Sequence, residues 1–185
     1  MGAADWVPAE LMGHILAALT PENALALRVS LRTGLRIDDV LSLKTADILK
    51  GNRFTISEMK THKHRRVYLP ELLRAELLTQ AGRYYVFEHR LDETRHRTRQ
   101  AVNKDLARAA EAFRVPAAVQ ISPHSCRKIY AVNVFEHYGN VRKVQELLNH
   151  SGESVTILYC LAEQVYNKKA EKRVKKARNA AKKRK

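Results

Sequence analysis

Six side chains scattered along this 185-residue sequence are of types that can act together on phosphorus: Arg36 in TGLRIDD, Lys60 in EMKTHKHRRVYLP, His124 and Arg127 in PHSCRKIY, His150 in LLNHSG and Tyr159 in TILYC. Each alone has an ordinary reading. An arginine at a helix end caps carbonyls or pairs with a neighbouring acid, here Asp38 or Asp39. Lys60 in a hairpin is simply solvated. His124 after a proline is a candidate helix cap, His150 gains from a helix C-terminus, and Tyr159 shares a helical face with Val155 and Ala162. Together they are the set that a metal-free attack on a phosphodiester requires. A tyrosine hydroxyl can serve as nucleophile and hold the cleaved phosphate as an ester. Two guanidinium groups can clamp the non-bridging oxygens as charge develops on phosphorus. A lysine can protonate the departing 5′ oxygen, and histidines can bond to the phosphate or shuttle the nucleophile's proton. Zinc spacings, glycine-rich phosphate loops and GxSxG elbows are absent, so no metal or cofactor is expected.

The ordered set Arg, Lys, His-x-x-Arg, His, Tyr, with the last pair nine positions apart, resembles the tyrosine recombinase family, the phage-type integrases and related site-specific recombinases, over residues 8–166. The resemblance implies that Arg36, His124, Arg127 and His150 bind the phosphate, that Lys60 is the general acid on a β-hairpin, and that Tyr159 is the nucleophile. Asp39 stands where an acid often braces the first arginine. The implied activity is DNA strand cleavage and rejoining through a 3′-phosphotyrosine, without ATP or metal. The implied partner is double-stranded DNA, with a homotetramer forming on it from a protein monomeric in solution. Three departures are visible: Asn149 replaces the usual glycine before the second histidine, Cys126 replaces a leucine, and His62, Lys63 and His64 crowd the turn of Lys60. A type IB topoisomerase uses a similar set, but the histidine of HSCR favours a recombinase. A non-catalytic DNA-binding relic of the fold would more often have lost one of the six groups.

The elements that must position these groups follow from hydrophobic spacing. Helices are expected over 8–19 and 21–35, both opened by proline, with a short one over 37–43 after a stop at Gly34. ILKGNRFTIS and RRVYLP predict a small antiparallel sheet with 60–64 in its turn. Helices are then expected over 70–82 and 94–115, the latter with Val102, Leu106, Ala109 and Phe113 on one side. RYYVFEH reads as strand or extended chain, and three more helices are expected over 124–138, 141–149 and 153–165. The fold class is therefore mainly α with a small antiparallel β-sheet (α+β).

Composition bounds the rest. With 45% hydrophobic residues the chain can bury one good core, so residues 1–166 read as one catalytic domain. The net charge is +15, and residues 167–185 hold eleven basic residues and one acidic, which places +10 in the tail. That tail is expected to be partly disordered, or an arm for a polyanion, and the resemblance implies that residues 161–174 dock on a neighbouring protomer, with Leu161, Val165 and Val174 as anchors. The family's N-terminal DNA-gripping domain is expected to be absent. Arg95, Arg97, Lys104 and Lys128 are further candidates for DNA contact. Neither Cys126 nor Cys160 has a CxxC partner, and no apolar run is long enough to span a bilayer, so no membrane partner is expected. The expected location is the cytoplasm of a prokaryotic cell, at the nucleoid.

Overall fold

Proline starts and left-handed stops set the boundaries of the helices that matter most. In the computed structural model, which describes residues 4–113, 115, 119–149, 159 and 161, α1 (Ala9–Ala17) and α2 (Pro21–Thr33) form the first pair. Gly34 ends α2 at φ 65°, its N–H donating to Ser30 O at 2.8 Å. The short helices α3 (Ile37–Leu41) and α4 (Thr45–Leu49) follow. Strands β1 (Arg53–Ser57) and β2 (His64–Tyr68) pair antiparallel, with Phe54 opposite Val67 and Ser57 opposite His64. Next come α5 (Glu71–Gln80), a second hairpin of β3 (Glu88–His89) and β4 (Asp92–His96), then α6 (Arg99–Ala112), α7 (Pro123–Tyr138) and α8 (Val141–Leu148). Among the described residues the architecture is mainly helical with two small antiparallel sheets, as the hydrophobic spacing predicts, but with one sheet more.

Three differences from the sequence expectations have local causes. Residues 48–50 belong to the end of α4 and its cap rather than to a strand. Helix α6 begins at Arg99, not at 94, because Asp92 Oδ1 accepts from both N and Oγ1 of Thr94, which ties the chain into a turn at the start of β4. Thr98 then caps the helix, its hydroxyl accepting from Ala101 N. Phe113 lies outside the buried stripe of Val102, Leu106 and Ala109, is 44% exposed, and stacks on His14. The helix expected over 153–165 lies outside the described residues, apart from Tyr159 and Leu161.

Among the described residues two hydrophobic clusters hold the elements. The larger joins α1, α2, α5 and α6 with the buried faces of the first hairpin and of α7. The smaller consists of Ala131, Val134, Val144 and Leu148 from α7 and α8, with Tyr130, Phe135 and Tyr159 packed against it. Cys126 belongs to the larger cluster. It is fully buried against Met12, and burial pushes its thiol up to about 12, so it acts as a small apolar side chain. Among the described residues no helix is long and apolar enough to cross a membrane.

Candidate active site

Arg36 stands at the N-cap of α3, immediately after the turn that Gly34 makes possible. Its Nη1 donates to Glu58 Oε2 at 2.9 Å, and its side chain is 17% exposed. The acid that pairs with it is thus Glu58, 22 residues away, and not either of the aspartates next to it in sequence. Asp38 pairs instead with Arg99 at 3.3 Å. Asp39 Oδ1 accepts from Met59 N at 2.8 Å, which pins the hairpin turn just before Lys60.

Glu58 completes the alternation of the first hairpin. Phe54, Ile56 and Glu58 point inward from one strand, and Arg65, Val67 and Leu69 from the other. The carboxylate of Glu58, fully buried, accepts from Arg36 and from Thr61 Oγ1 at 2.7 Å, and its other oxygen faces Arg65 at 3.5 Å. Burial alone would raise its pKa. The Thr61 hydroxyl and the charges of Arg36 and Arg65 outweigh that and hold it below the usual carboxylate range. Arg65 in turn donates to the carbonyls of Thr33 and Gly34, the negative end of α2. Neither Glu58 nor Arg65 figures among the sequence candidates. A charged residue on the inward face of a two-residue alternation was the available signal, since a buried charge must find its counter-charge or a set of backbone acceptors.

His124 and Arg127 come from the first turns of α7. Ser122 caps this helix, its Oγ accepting from His124 N at 3.2 Å, while Ser125 Oγ accepts from Ser122 N at the same distance. Arg127 is 1% exposed, and its guanidinium donates to the carbonyls of Gly34 and, at 2.6 Å, Leu148. Burial first, and then the charges of Arg36 and Arg65, push its pKa down to about 9, while Tyr159 and Glu58 pull the other way. It stays charged at neutral pH. His124 is exposed at the pocket rim. Desolvation, then Arg127, Arg36, Lys60 and Lys128, lower its imidazole pKa below the usual value, which keeps it neutral near pH 7.

These groups meet in one open cavity of about 830 Å³, whose wall includes Arg36, Asp39, Lys60, Ser122, His124 and Arg127. Lys60 reaches it from the turn between β1 and β2. Tyr159 is not part of that wall. It packs on the smaller cluster, with Lys128 Nζ 5.6 Å from its ring centre, on the helix that also carries Arg127. Asn149 takes the left-handed conformation at the end of α8, φ 54°, where a glycine would be usual. His150 lies outside the described residues. Among the described residues no three His, Cys, Asp or Glu side chains are grouped to hold a metal ion.

Residues 7–166 match the phage integrase family. The chain belongs to that family. Among its relatives, "Probable integrase/recombinase YoeC" of Bacillus subtilis is 26% identical over 138 residues, 70% of this chain and 71% of that one. "Tyrosine recombinase XerA" of Thermococcus kodakarensis is 28% identical over 145 residues, 77% of this chain but 51% of the relative's length. Two solved structures share the fold. The catalytic domain of bacteriophage HP1 integrase has a TM-score of 0.63 at 18% identity and covers 86% of this chain and 89% of that one. A lambda integrase fragment, crystallised as a dimer bound to a COC′ core site, has a TM-score of 0.71 at 17% identity and covers 86% of this chain and 60% of the fragment. The chain therefore shares the mainly helical fold of these two integrase structures.

Proposed function

We propose that the chain is the catalytic part of a site-specific DNA recombinase that cleaves and rejoins strands through a 3′-phosphotyrosine on Tyr159. The observation that carries this reading is the convergence of Arg36, Lys60, His124 and Arg127, from three separate parts of the chain, on one open cavity. Arg36 and Arg127 hold the non-bridging oxygens of the scissile phosphate, with Arg127 aimed by the carbonyls of Gly34 and Leu148. The Tyr159 oxygen attacks phosphorus as the bond to the 5′ oxygen breaks. His124, neutral at pH 7, bonds to the phosphate or takes up the phenolic proton, and Lys60 delivers one to the departing oxygen. The ester keeps the energy of the phosphodiester, so a 5′ hydroxyl from a second duplex can attack it and release the tyrosine. His150 is assigned to the phosphate on the motif alone.

Double-stranded DNA is the partner on this reading, as for the lambda integrase fragment at its core site. Four copies assemble on two duplexes at the nucleoid, from a protein monomeric in solution. Residues 1–166 act as the catalytic unit and 167–185 as a basic arm. The test is covalent attachment. Wild type and Tyr159→Phe are incubated with nicked duplexes from the native element, without magnesium and at low salt, and run on a denaturing gel. An adduct from wild type that is absent from the variant is expected; an adduct retained by the variant excludes Tyr159 as nucleophile.

A further inference from the structure

We infer that Glu58 is a positioning residue of this site, a buried carboxylate that fixes the phosphate-binding Arg36 relative to the turn carrying Lys60. The inference rests on the strand-cleavage reading above. Glu58 defines that turn by its backbone as well as its side chain: its N–H donates to Lys63 O at 3.0 Å and its carbonyl accepts from His62 N at 2.8 Å. His62 takes up the reversal at φ 55°. One carboxylate oxygen then receives both Arg36 and Thr61, so the arginine and the turn share a single acceptor. The other oxygen looks toward Arg65, itself tied to the end of α2, from which Arg36 follows within three residues. The hairpin and the α2–α3 junction are therefore joined at this side chain, and Lys60 and Arg36 are joined with them.

The charge of Glu58 matters as much as its shape. Arg36 and Arg65 both lie close enough to Arg127 to disfavour its charge, and Glu58 stands among the three as the ion-pair partner of Arg36 and Arg65. Glutamine in its place keeps the volume and loses the charge. Arg36 then keeps its attraction for a phosphate but loses its fixed direction. The expected result is a separation of affinity from rate, which a merely structural acid would not give.

The experiment compares wild type with Glu58→Gln in the whole chain. Nitrogen-15 spectra of the arginine side chains report order directly, because a guanidinium held in place shows separate Nη signals. Those of Arg36 should merge in the variant, while those of Arg127, held by Gly34 and Leu148 carbonyls, stay separate and report an intact fold. Duplex affinity should be unchanged or higher, and adduct formation roughly 10²-fold slower. Separate Arg36 signals in the variant, or an undiminished rate of adduct formation, overturn the proposal. If wild type itself forms no adduct, the cleavage reading fails, and the Arg36 signals alone decide whether Glu58 orders that arginine. Should Glu58→Gln not fold, Thr61→Val removes the shared hydroxyl only. It should slow adduct formation about fivefold, and an unchanged rate overturns the proposal.

Discussion

Asp105 and Asp39 are both buried aspartates, 9% and 2% exposed, yet their surroundings differ in kind. Asp105 is saturated: Oδ2 accepts from Thr20 N, Thr20 Oγ1 and Asn23 Nδ2, and Oδ1 from Arg108. Against the opposing effect of burial, these donors bring its carboxyl down to about 2. Among the described residues the Asp39 carboxylate has one donor, Met59 N, and its Oδ2 has no hydrogen-bond partner. Burial, and after it the Glu58 carboxylate, push its carboxyl up despite Arg36 and Arg127 nearby. The saturated acid ties α2 to α6 as scaffold. The unsaturated one stands in the wall of the cavity, with a buried oxygen that the fold leaves without a donor.

Three substitutions would break or sharpen that contrast. The largest effect is expected at the cavity: Arg36→Lys should lower adduct formation by about 10²–10³-fold with a far smaller change in duplex affinity, because a point charge cannot reproduce the guanidinium fork. Parallel loss of affinity and rate would instead make Arg36 a general DNA contact. At the scaffold, Asp105→Asn should destabilise the fold by about 2 kcal/mol without altering adduct formation. Because the folded pKa of Asp105 lies below its unfolded value of 3.8, its contribution is present above that value and lost as pH falls toward 2. Melting curves of wild type and variant should therefore converge in acid. The smallest effect is expected for Asp39→Asn. A raised folded pKa means that the charge of Asp39 costs stability at neutral pH, and the cost is relieved as pH falls through the folded pKa to below 3.8. The amide keeps an acceptor for Met59 N, so melting at pH 7 should stay level or rise, by less than about 1 kcal/mol. A clear loss would show that the neighbouring arginines compensate the carboxylate fully.

Local rules made much of this fold legible. Pro21 starts a helix and Gly34 stops it; Phe54, Ile56, Val67 and Leu69 alternate as a half-buried hairpin must. The start of α6 is not legible from periodicity, because the turn at Asp92 depends on a side chain that competes with the helix. In the site, the cations could be read from residue type and order. Their wiring could not: Glu58 meets Arg36 across 22 positions and Arg127 meets Gly34 across 93, distances that only tertiary packing closes. The resemblance makes Asp39 the brace of Arg36, whereas the hairpin brings Glu58 to the arginine and Asp39 holds the backbone of Met59.

Gly34 offers one peptide oxygen to two arginines, Arg65 from the hairpin and Arg127 from α7. It has no room for even a methyl group, which would run into the Tyr130 ring and the side chain of Leu148, and Tyr130 packs on the same cluster as Tyr159. On the proposed strand-cleavage reading, a substitution there would be felt at the phosphate end and at the tyrosine end together. For anyone diversifying this sequence, Gly34 is the position to hold constant, since on that reading the two halves of the chemistry share a hinge pin with no side chain of its own.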